Sequence, residues 1–265
     1  MAAPRIWRRL TAYPLPPMAR GLADLVLPVT CAGCALPGPS LCPECRTVLG
    51  CASAEPWSPT PAPQGLPSTW STLAYEGVVR SCVVAWKDQD RFDLTRVFSP
   101  VLARGLHAAV GGRASLRSAV LLDHPVYVVA VPSARSGTAR RGRWPVRDVV
   151  RRTLRATGRG STLQDLPALS LSRRVADQAG LGAGERWSNL RGAMTVPTRH
   201  TATVRGAVVV VVDDVVTSGA TLAEAGRALR CAGAADVVAV TLAATRRRRA
   251  GASTGLDHAL AGDAV

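Results

Sequence analysis

Residues 207 to 221 read A-V-V-V-V-V-D-D-V-V-T-S-G-A-T. The run of consecutive valines, Val208–Val212, is branched at Cβ and unbroken by polar residues, which is typical of a strand buried on both faces in a parallel sheet. Asp213 and Asp214 follow it, and a hydroxyl-rich turn then leads into an amphipathic segment. The stretch therefore predicts an α/β fold with a unit of strand, acidic edge, polar loop and helix.

The segment after the loop has the pattern of a helix. Leu222, Ala225, Leu229 and Ala232 share one face at helical spacing. Thr221 and Glu224 have the spacing of a capping box, and Gly233 is placed to end the helix. The predicted helix start combines unpaired N–H groups with the conformational freedom of Gly219, an arrangement that suits a phosphate monoester. The candidate phosphate ligands are Thr217, Ser218, Gly219, Ala220 and Thr221.

Asp213 and Asp214 lie where ligands bind in open α/β sheets, at the carboxyl end of a strand. Their carboxylates can accept hydrogen bonds from a sugar diol. The stretch contains neither the Walker pattern nor the glycine pattern of dinucleotide sites. An ordinary βα unit with an acidic strand end is the alternative, and a two-metal site is disfavoured because neighbours on a strand point to opposite faces.

The chain of 265 residues has a formal net charge of +15, and Lys87 is its only lysine. Such an arginine-rich composition favours anionic partners such as nucleotides, nucleic acid or acidic lipid surfaces, although a GC-rich coding bias would give the same solvated surface. The sequence contains no apolar run of transmembrane length and no signal-peptide core, so we expect a cytoplasmic protein.

Two C-x-x-C pairs lie near the N-terminus: Cys31 with Cys34, and Cys42 with Cys45. Four thiolates on two tight turns can complete a tetrahedron around Zn²⁺, and closed four-cysteine sites are structural. A redox pair or unliganded thiols is the alternative. The remaining cysteines are expected to be buried apolar residues; they are Cys51, Cys82 and Cys231.

The run V-V-D-D-V-V-T-S-G-A-T resembles the phosphoribosyl-diphosphate (PRPP) motif of type I phosphoribosyltransferases. Flanking residues narrow the resemblance to the ComF family of competence-associated proteins, and it extends from about Leu22 to Ala244. Two groups of flanking residues match family patterns. The first matches Y-x-G-x-V-R and the lysine after it: Tyr75, Gly77, Val79, Arg80 and Lys87. The second matches a later Arg–Gln–Leu–Arg–Asn pattern: Arg173, Gln178, Leu181, Arg186 and Asn189.

The resemblance implies an N-terminal zinc module similar to a double zinc ribbon, followed by a phosphoribosyltransferase domain with a parallel sheet. It also implies that Asp213 and Asp214 hold the ribose hydroxyls as catalytic residues, while residues 217–221 bind the 5-phosphate. The implied diphosphate loop begins with Ser133, Ala134 and Arg135, and Mg²⁺ accompanies PRPP. Lys87 is either a phosphate ligand or a solvated surface residue.

The chain departs from the family at Arg143-Trp144-Pro145, where many members have Phe-Asn-Gln. Because this departure follows the implied diphosphate loop, it bears on whether the loop binds diphosphate as in the family, and hence on turnover. Residues 172–191 are either a mobile flap over the ligand or a plain surface loop.

Composition predicts four segments. Residues 1–50 hold an N-terminal helix over about 18–27 and the zinc module, and 51–68 are a Pro-rich linker. Residues 69–245 form the phosphoribosyltransferase-like domain that the resemblance implies, and 246–265 are a basic tail expected to be disordered. Within the domain, residues 111–118 are predicted to be a loop.

Two functions follow from these features. The first is a phosphoribosyltransferase-like protein that binds PRPP or a related ribose 5-phosphate nucleotide and transfers the phosphoribosyl group to a nitrogen nucleophile. The second is a non-catalytic competence accessory that binds single-stranded DNA or a DNA-handling partner such as a competence ATPase. The fold alone does not separate them, because one fold serves many functions.

Overall fold

The computed structural model describes residues 29–132, 143–158, 160–172 and 192–245. The predicted helix at 18–27, the diphosphate-loop residues Ser133, Ala134 and Arg135, nearly all of the predicted flap and the tail at 246–265 lie outside these ranges.

A six-stranded sheet organises the described part of the chain. Its strand order is β1-β2-β8-β7-β3-β4, and every neighbouring pair is parallel except β1 with β2. The strands are β1 (Glu55–Trp57), β2 (Ser68–Ala74), β3 (Val126–Ala130), β4 (Leu163–Asp165), β7 (Val208–Val216) and β8 (Asp236–Ala244). A separate two-stranded antiparallel sheet pairs β5 (Ser170–Leu171) with β6 (Met194–Thr195). The valine run thus lies in a central strand, as predicted.

Helices cover both faces of this sheet. Val210 and Val212 of β7 belong to one apolar core, whereas Val209 and Val211 belong to another, because successive strand residues face opposite sides. The first core contains residues of α1 to α5 and the second those of α6 and α7. The helices are α1 (Pro43–Gly50), α2 (Gly77–Asp88), α3 (Leu94–Gly112), α4 (Ala114–Leu121), α5 (Pro145–Ala156), α6 (Thr198–Val204) and α7 (Ala220–Cys231).

Residues 51–68, which composition assigns to a Pro-rich linker, contribute structure to the domain. They supply the edge strand β1, which pairs with β2. A tight turn follows, in which the Leu66 N–H donates to the Pro63 carbonyl at 3.2 Å, and Gly65 takes the left-handed conformation at φ +77°. Arg230 of α7 donates to the Gly65 carbonyl at 2.8 Å, so this segment is fastened to α7.

Two local predictions were wrong. Residues 111–118 are not a loop: they contain the end of α3 and the start of α4, where Leu116 and Ala119 are buried and supply an apolar face. The two helices are separated at Arg113, which is extended and pairs with Asp236. Cys82 is buried as expected, but Cys51 and Cys231 are exposed.

No helix in the described ranges combines the length and the apolar character needed to cross a membrane.

Candidate functional site

The site is built at the junction of β7 and α7. Strand β7 lies between β3 and β8 and ends at Val216; three residues follow before α7 begins at Ala220. Gly219 occupies the N-cap position at φ +77°, a left-handed conformation that glycine adopts without strain. The chain can therefore turn sharply from the strand into the helix.

The predicted capping box does not form. The helix begins one residue before Thr221, so this residue lies inside the first turn rather than at the N-cap. Glu224 instead accepts the Met194 N–H at 2.9 Å and two hydrogen bonds from Arg227, at 2.8 and 2.7 Å. Arg227 also donates to the Met194 carbonyl at 2.9 Å. Glu224 and Arg227 thus hold both backbone polar groups of Met194 and fasten β6 to α7.

A small cavity that is open to solvent lies at this junction. It is lined by Asp213 and by residues 215–222, which include all five predicted phosphate ligands. The structure therefore brings together the hydroxyls of Thr217, Ser218 and Thr221, the bend at Gly219 and one carboxylate. The first residues of helix α7 are among the lining residues, so the unpaired N–H groups of its first turn and their partial positive charge lie at this cavity.

The two adjacent acids have different surroundings. Asp213 lines the cavity and is half-buried, whereas Asp214 is only 4% exposed and does not line it. One carboxylate oxygen of Asp214 contacts the Lys87 ammonium group, and the other accepts the Val215 N–H at 2.8 Å. Asp213 accepts the Asp214 N–H at 2.9 Å. One acid therefore faces the ligand space and the other is held in an ion pair.

The electrostatics follow this division. Burial raises the pKa of Asp213 well above its usual value of 3.8, and the neighbouring charge of Asp214 raises it further. Burial acts the same way on Asp214, but the charge of Lys87 and its hydrogen bond outweigh burial and lower the pKa of Asp214. The pKa of Lys87 is raised, chiefly by Asp214. Both shifts favour the charged forms of Lys87 and Asp214.

The Pro63–Leu66 turn packs directly against the bend of the site. A Cβ atom added at Gly219 would lie 3.0 and 3.3 Å from the two terminal methyl groups of Leu66 and 3.4 Å from Cγ of Pro63. These residues were assigned from composition to a linker, and nothing in their sequence pointed to this contact. The glycine at 219 therefore meets two demands, a left-handed backbone and a close neighbour.

The predicted diphosphate-loop residues lie outside the described ranges, but the residues on either side are described. Val131 donates its N–H to the Val212 carbonyl at 2.8 Å, which continues the pairing of β3 with β7. The indole N–H of Trp144 donates to the Val131 carbonyl at 2.8 Å. Trp144 therefore links the residues that precede and follow positions 133–142, at the point where the sequence departs from the ComF pattern.

The four predicted metal ligands converge. The sulfur atoms of Cys31, Cys34, Cys42 and Cys45 all lie within 4.8 Å of one another, and Cys34 and Cys42 are 3.8 Å apart. A zinc tetrahedron with Zn–S distances of about 2.3 Å has edges of about 3.8 Å, so the cluster has the right size. Backbone N–H groups of Gly33 and Cys42 donate to the Cys31 sulfur at 3.4 and 3.3 Å. The donor set and its spacing fit a structural Zn²⁺ ion.

A family model described as the phosphoribosyl transferase domain matches residues 165–259. This span contains the cavity-lining residues, α6, α7 and strands β5 to β8. No curated protein matches the chain. The predicted fold class is confirmed: the protein is α/β with a mainly parallel sheet, a phosphoribosyltransferase domain and a four-cysteine cluster in its N-terminal region. The match is to the general domain type, which supports a type I phosphoribosyltransferase-like protein.

Proposed function

We propose that the protein binds PRPP, or a related ribose 5-phosphate nucleotide, in the cavity between β7 and α7, and that transfer of the phosphoribosyl group to a nitrogen nucleophile is the reaction this binding serves. The observation that carries the proposal is the cavity itself. It joins a helix N-terminus, a left-handed glycine, several hydroxyls and one carboxylate around one small, solvent-open space. The phosphoribosyl transferase domain match covers the same residues.

The 5-phosphate would lie against residues 217–221. The first N–H groups of α7 have no carbonyl partner within the helix, and a phosphate oxygen satisfies them while the helix dipole favours its charge. The Ser218 hydroxyl already accepts the Ala220 N–H at 3.4 Å, so it lies at the start of the helix. Thr221 and Thr217 add hydroxyls from the same lining.

The ribose would lie beside Asp213. Its carboxylate can accept hydrogen bonds from the 2- and 3-hydroxyls, and negative charge near the ring favours the cationic sugar that develops as diphosphate leaves. The adjacent Asp214 does not line the cavity, and its charge is partly neutralised by Lys87. Mg²⁺ would neutralise the diphosphate, mainly through substrate oxygens and water.

Titration calorimetry with PRPP and Mg²⁺ on the full chain tests the proposal. We expect Asp213→Asn to weaken binding by about tenfold, because one carboxylate that accepts from a diol contributes about 1.4 kcal/mol or more. Asp123→Asn is the matched control: Asp123 is exposed and precedes β3, at the opposite end of the sheet. Absence of PRPP binding by the wild type, or equal affinity in both variants, would contradict the proposal.

A second candidate function is supported by the surface of α5. This helix exposes Arg151, Arg152 and Arg155, and the chain as a whole has a net charge of +15. A protein that binds single-stranded DNA through such residues would lose affinity steeply as salt rises, and its binding would survive Asp213→Asn. A PRPP-dependent enzyme would release diphosphate and lose that activity on the same substitution. Fluorescence anisotropy with a labelled oligonucleotide at two salt concentrations separates the two.

A further inference from the structure

Arg91 connects the four-cysteine region to the helix that carries Lys87. Its guanidinium group donates to the Thr30 carbonyl at 3.2 Å and to the Ser40 carbonyl at 2.7 Å. These two carbonyls belong to the turns that present the cysteines, residues 30–45, which we call the cysteine knuckle. The Asp93 carboxylate accepts two further hydrogen bonds from Arg91, each at 3.3 Å, and fixes the orientation of the guanidinium plane.

The backbone of Arg91 holds the end of α2. Its N–H donates to the Ala85 carbonyl at 3.2 Å, and the Gln89 N–H donates to the same carbonyl at 3.2 Å. Lys87 lies between these groups, in the last turn of α2. The neighbouring Trp86 is fully buried and its indole donates to the Thr95 hydroxyl at 3.1 Å. The turn that carries Lys87 is therefore fixed from both sides.

The cysteine knuckle also packs on α2 itself. Cys31 and Cys45 belong to the same buried core as Cys82 of α2. A Cβ atom at Gly33 would lie 2.6 Å from the Cys45 sulfur and 2.8 Å from a methyl group of Val78, so there is no space between the knuckle and the start of α2. Helix α2 thus packs against the knuckle and also contacts helices α1 and α3.

We propose that Arg91 is a positioning residue that transmits the order of the cysteine knuckle to Lys87 and, through the Lys87–Asp214 ion pair, to the end of β7, where the adjacent Asp213 lines the cavity. A metal ion held by Cys31, Cys34, Cys42 and Cys45 would fix the turns that offer the Thr30 and Ser40 carbonyls. These carbonyls hold Arg91, and Arg91 holds the turn of α2 from which Lys87 reaches Asp214. Only the last step, an effect on ligand affinity, rests on the proposed PRPP function.

The sequence makes this chain of contacts directly measurable. Lys87 is the only lysine, so the α-amino group is the only other primary amine in the full chain. An amine reagent such as trinitrobenzenesulfonate, followed by peptide mapping, reports how freely the Lys87 amine reacts. An ammonium group held by a carboxylate reacts slowly, because only the neutral amine is nucleophilic. Asp214→Asn removes the partner and sets the upper limit of reactivity.

We expect Arg91→Ala to raise the rate of Lys87 modification by about tenfold, which corresponds to a change of one pKa unit. It should also speed the release of zinc to a chelator. Chelating zinc from the wild type should raise the Lys87 rate in the same direction. Arg96→Ala is the matched control, because Arg96 is exposed on α3 near Arg91 and makes no side-chain hydrogen bond or ion pair with the described residues; it should change neither readout.

A Lys87 rate that stays at the wild-type value in Arg91→Ala and after zinc removal would overturn the proposal and leave the knuckle as an independent module. If circular dichroism shows that Arg91→Ala does not fold, Arg91→Gln replaces it and adds no amine: a single amide group cannot hold both carbonyls and Asp93, so a smaller rise is expected and an unchanged rate overturns the proposal. None of these readouts uses PRPP. Altered Lys87 reactivity without any PRPP binding would therefore refute the proposed function and leave the role of Arg91 standing.

Discussion

Replacing Gly219 by alanine tests the geometry of the site through stability. Two costs are expected. The left-handed backbone at φ +77° disfavours any residue with a Cβ by about 1 to 2 kcal/mol. The new methyl group would also lie 3.0 Å from a methyl group of Leu66, which must move, at a cost of about 1 kcal/mol. We therefore expect the free energy of unfolding to fall by about 2 to 3 kcal/mol.

Gly206→Ala provides the matched control. Gly206 has nearly the same backbone angle, φ +72°, but a Cβ atom there would meet nothing within 4 Å. This variant should show only the backbone cost, about 1 to 2 kcal/mol. The difference between the two variants isolates the contact with Leu66. In a Leu66→Ala background, that difference should disappear, because the obstructing methyl groups are gone.

Urea unfolding followed by circular dichroism measures these free energies, with the slope m checked for equality among variants. Gly219→Ala should also weaken PRPP binding, since the bend that shapes the cavity is changed, whereas Gly206→Ala should leave binding intact. Equal destabilisation by the two alanines, or a difference that persists without Leu66, would refute the assignment of Gly219 as a residue constrained by both backbone and neighbour.

Three further predictions concern charge and metal. Asp214→Asn should lower the free energy of unfolding by about 1 to 2 kcal/mol, which is less than the cost of breaking a fully buried pair because the Lys87 side chain is 41% exposed. Asp213→Asn should not lower the free energy of unfolding. Urea unfolding of both variants at pH 7 tests this difference. Burial raises the pKa of Glu224, but hydrogen bonds from Arg227 and Met194 outweigh burial and lower this pKa below 4.5, so the stabilisation is present above pH 4.5 and is lost as pH falls. Glu224→Gln should therefore lower the free energy of unfolding by about 2 kcal/mol at pH 7 and by progressively less below pH 4.5. Unfolding measured at several pH values tests this, and a cost that does not change with pH would contradict it. Removing zinc with a chelator should lower the melting temperature and release about one equivalent of metal per chain by atomic absorption, while Cys51→Ser, at an exposed cysteine outside the cluster, should leave the metal content unchanged.

Much of the fold followed from the sequence because its strongest signals are local. The valines of β7, the apolar spacing of α7 and the two C-x-x-C pairs each act within a short stretch, and each is found where it was predicted. The different surroundings of Asp213 and Asp214 could be predicted from the sequence only in part. Strand alternation puts them on opposite faces, but it does not reveal that Lys87 meets one of them, because that contact joins residues far apart in the chain.

The errors have the same origin. The Thr221–Glu224 capping box was a valid local pattern, yet the Glu224 carboxylate is bound by the distant Met194 and by Arg227 on the same helix. The stretch at 111–118 read as a loop because its glycines and arginines hide the apolar face that Leu116 completes. Local propensity was overridden in both cases by partners that become neighbours only when the sheet forms.

The placement of the single lysine gives the site its electrostatic character. A Lys ammonium group is a compact charge on a flexible stem, whereas an arginine presents a broad planar fork that binds carboxylates in two places. Between α2 and β7, one Asp214 oxygen is already taken by the Val215 N–H, so only the other is left for a cation. A point charge fits this position, and a fork would compete with the backbone for the same carboxylate. In a chain whose other side chains with a permanent positive charge are arginines, lysine at position 87 therefore fits the geometry around the Asp214 carboxylate.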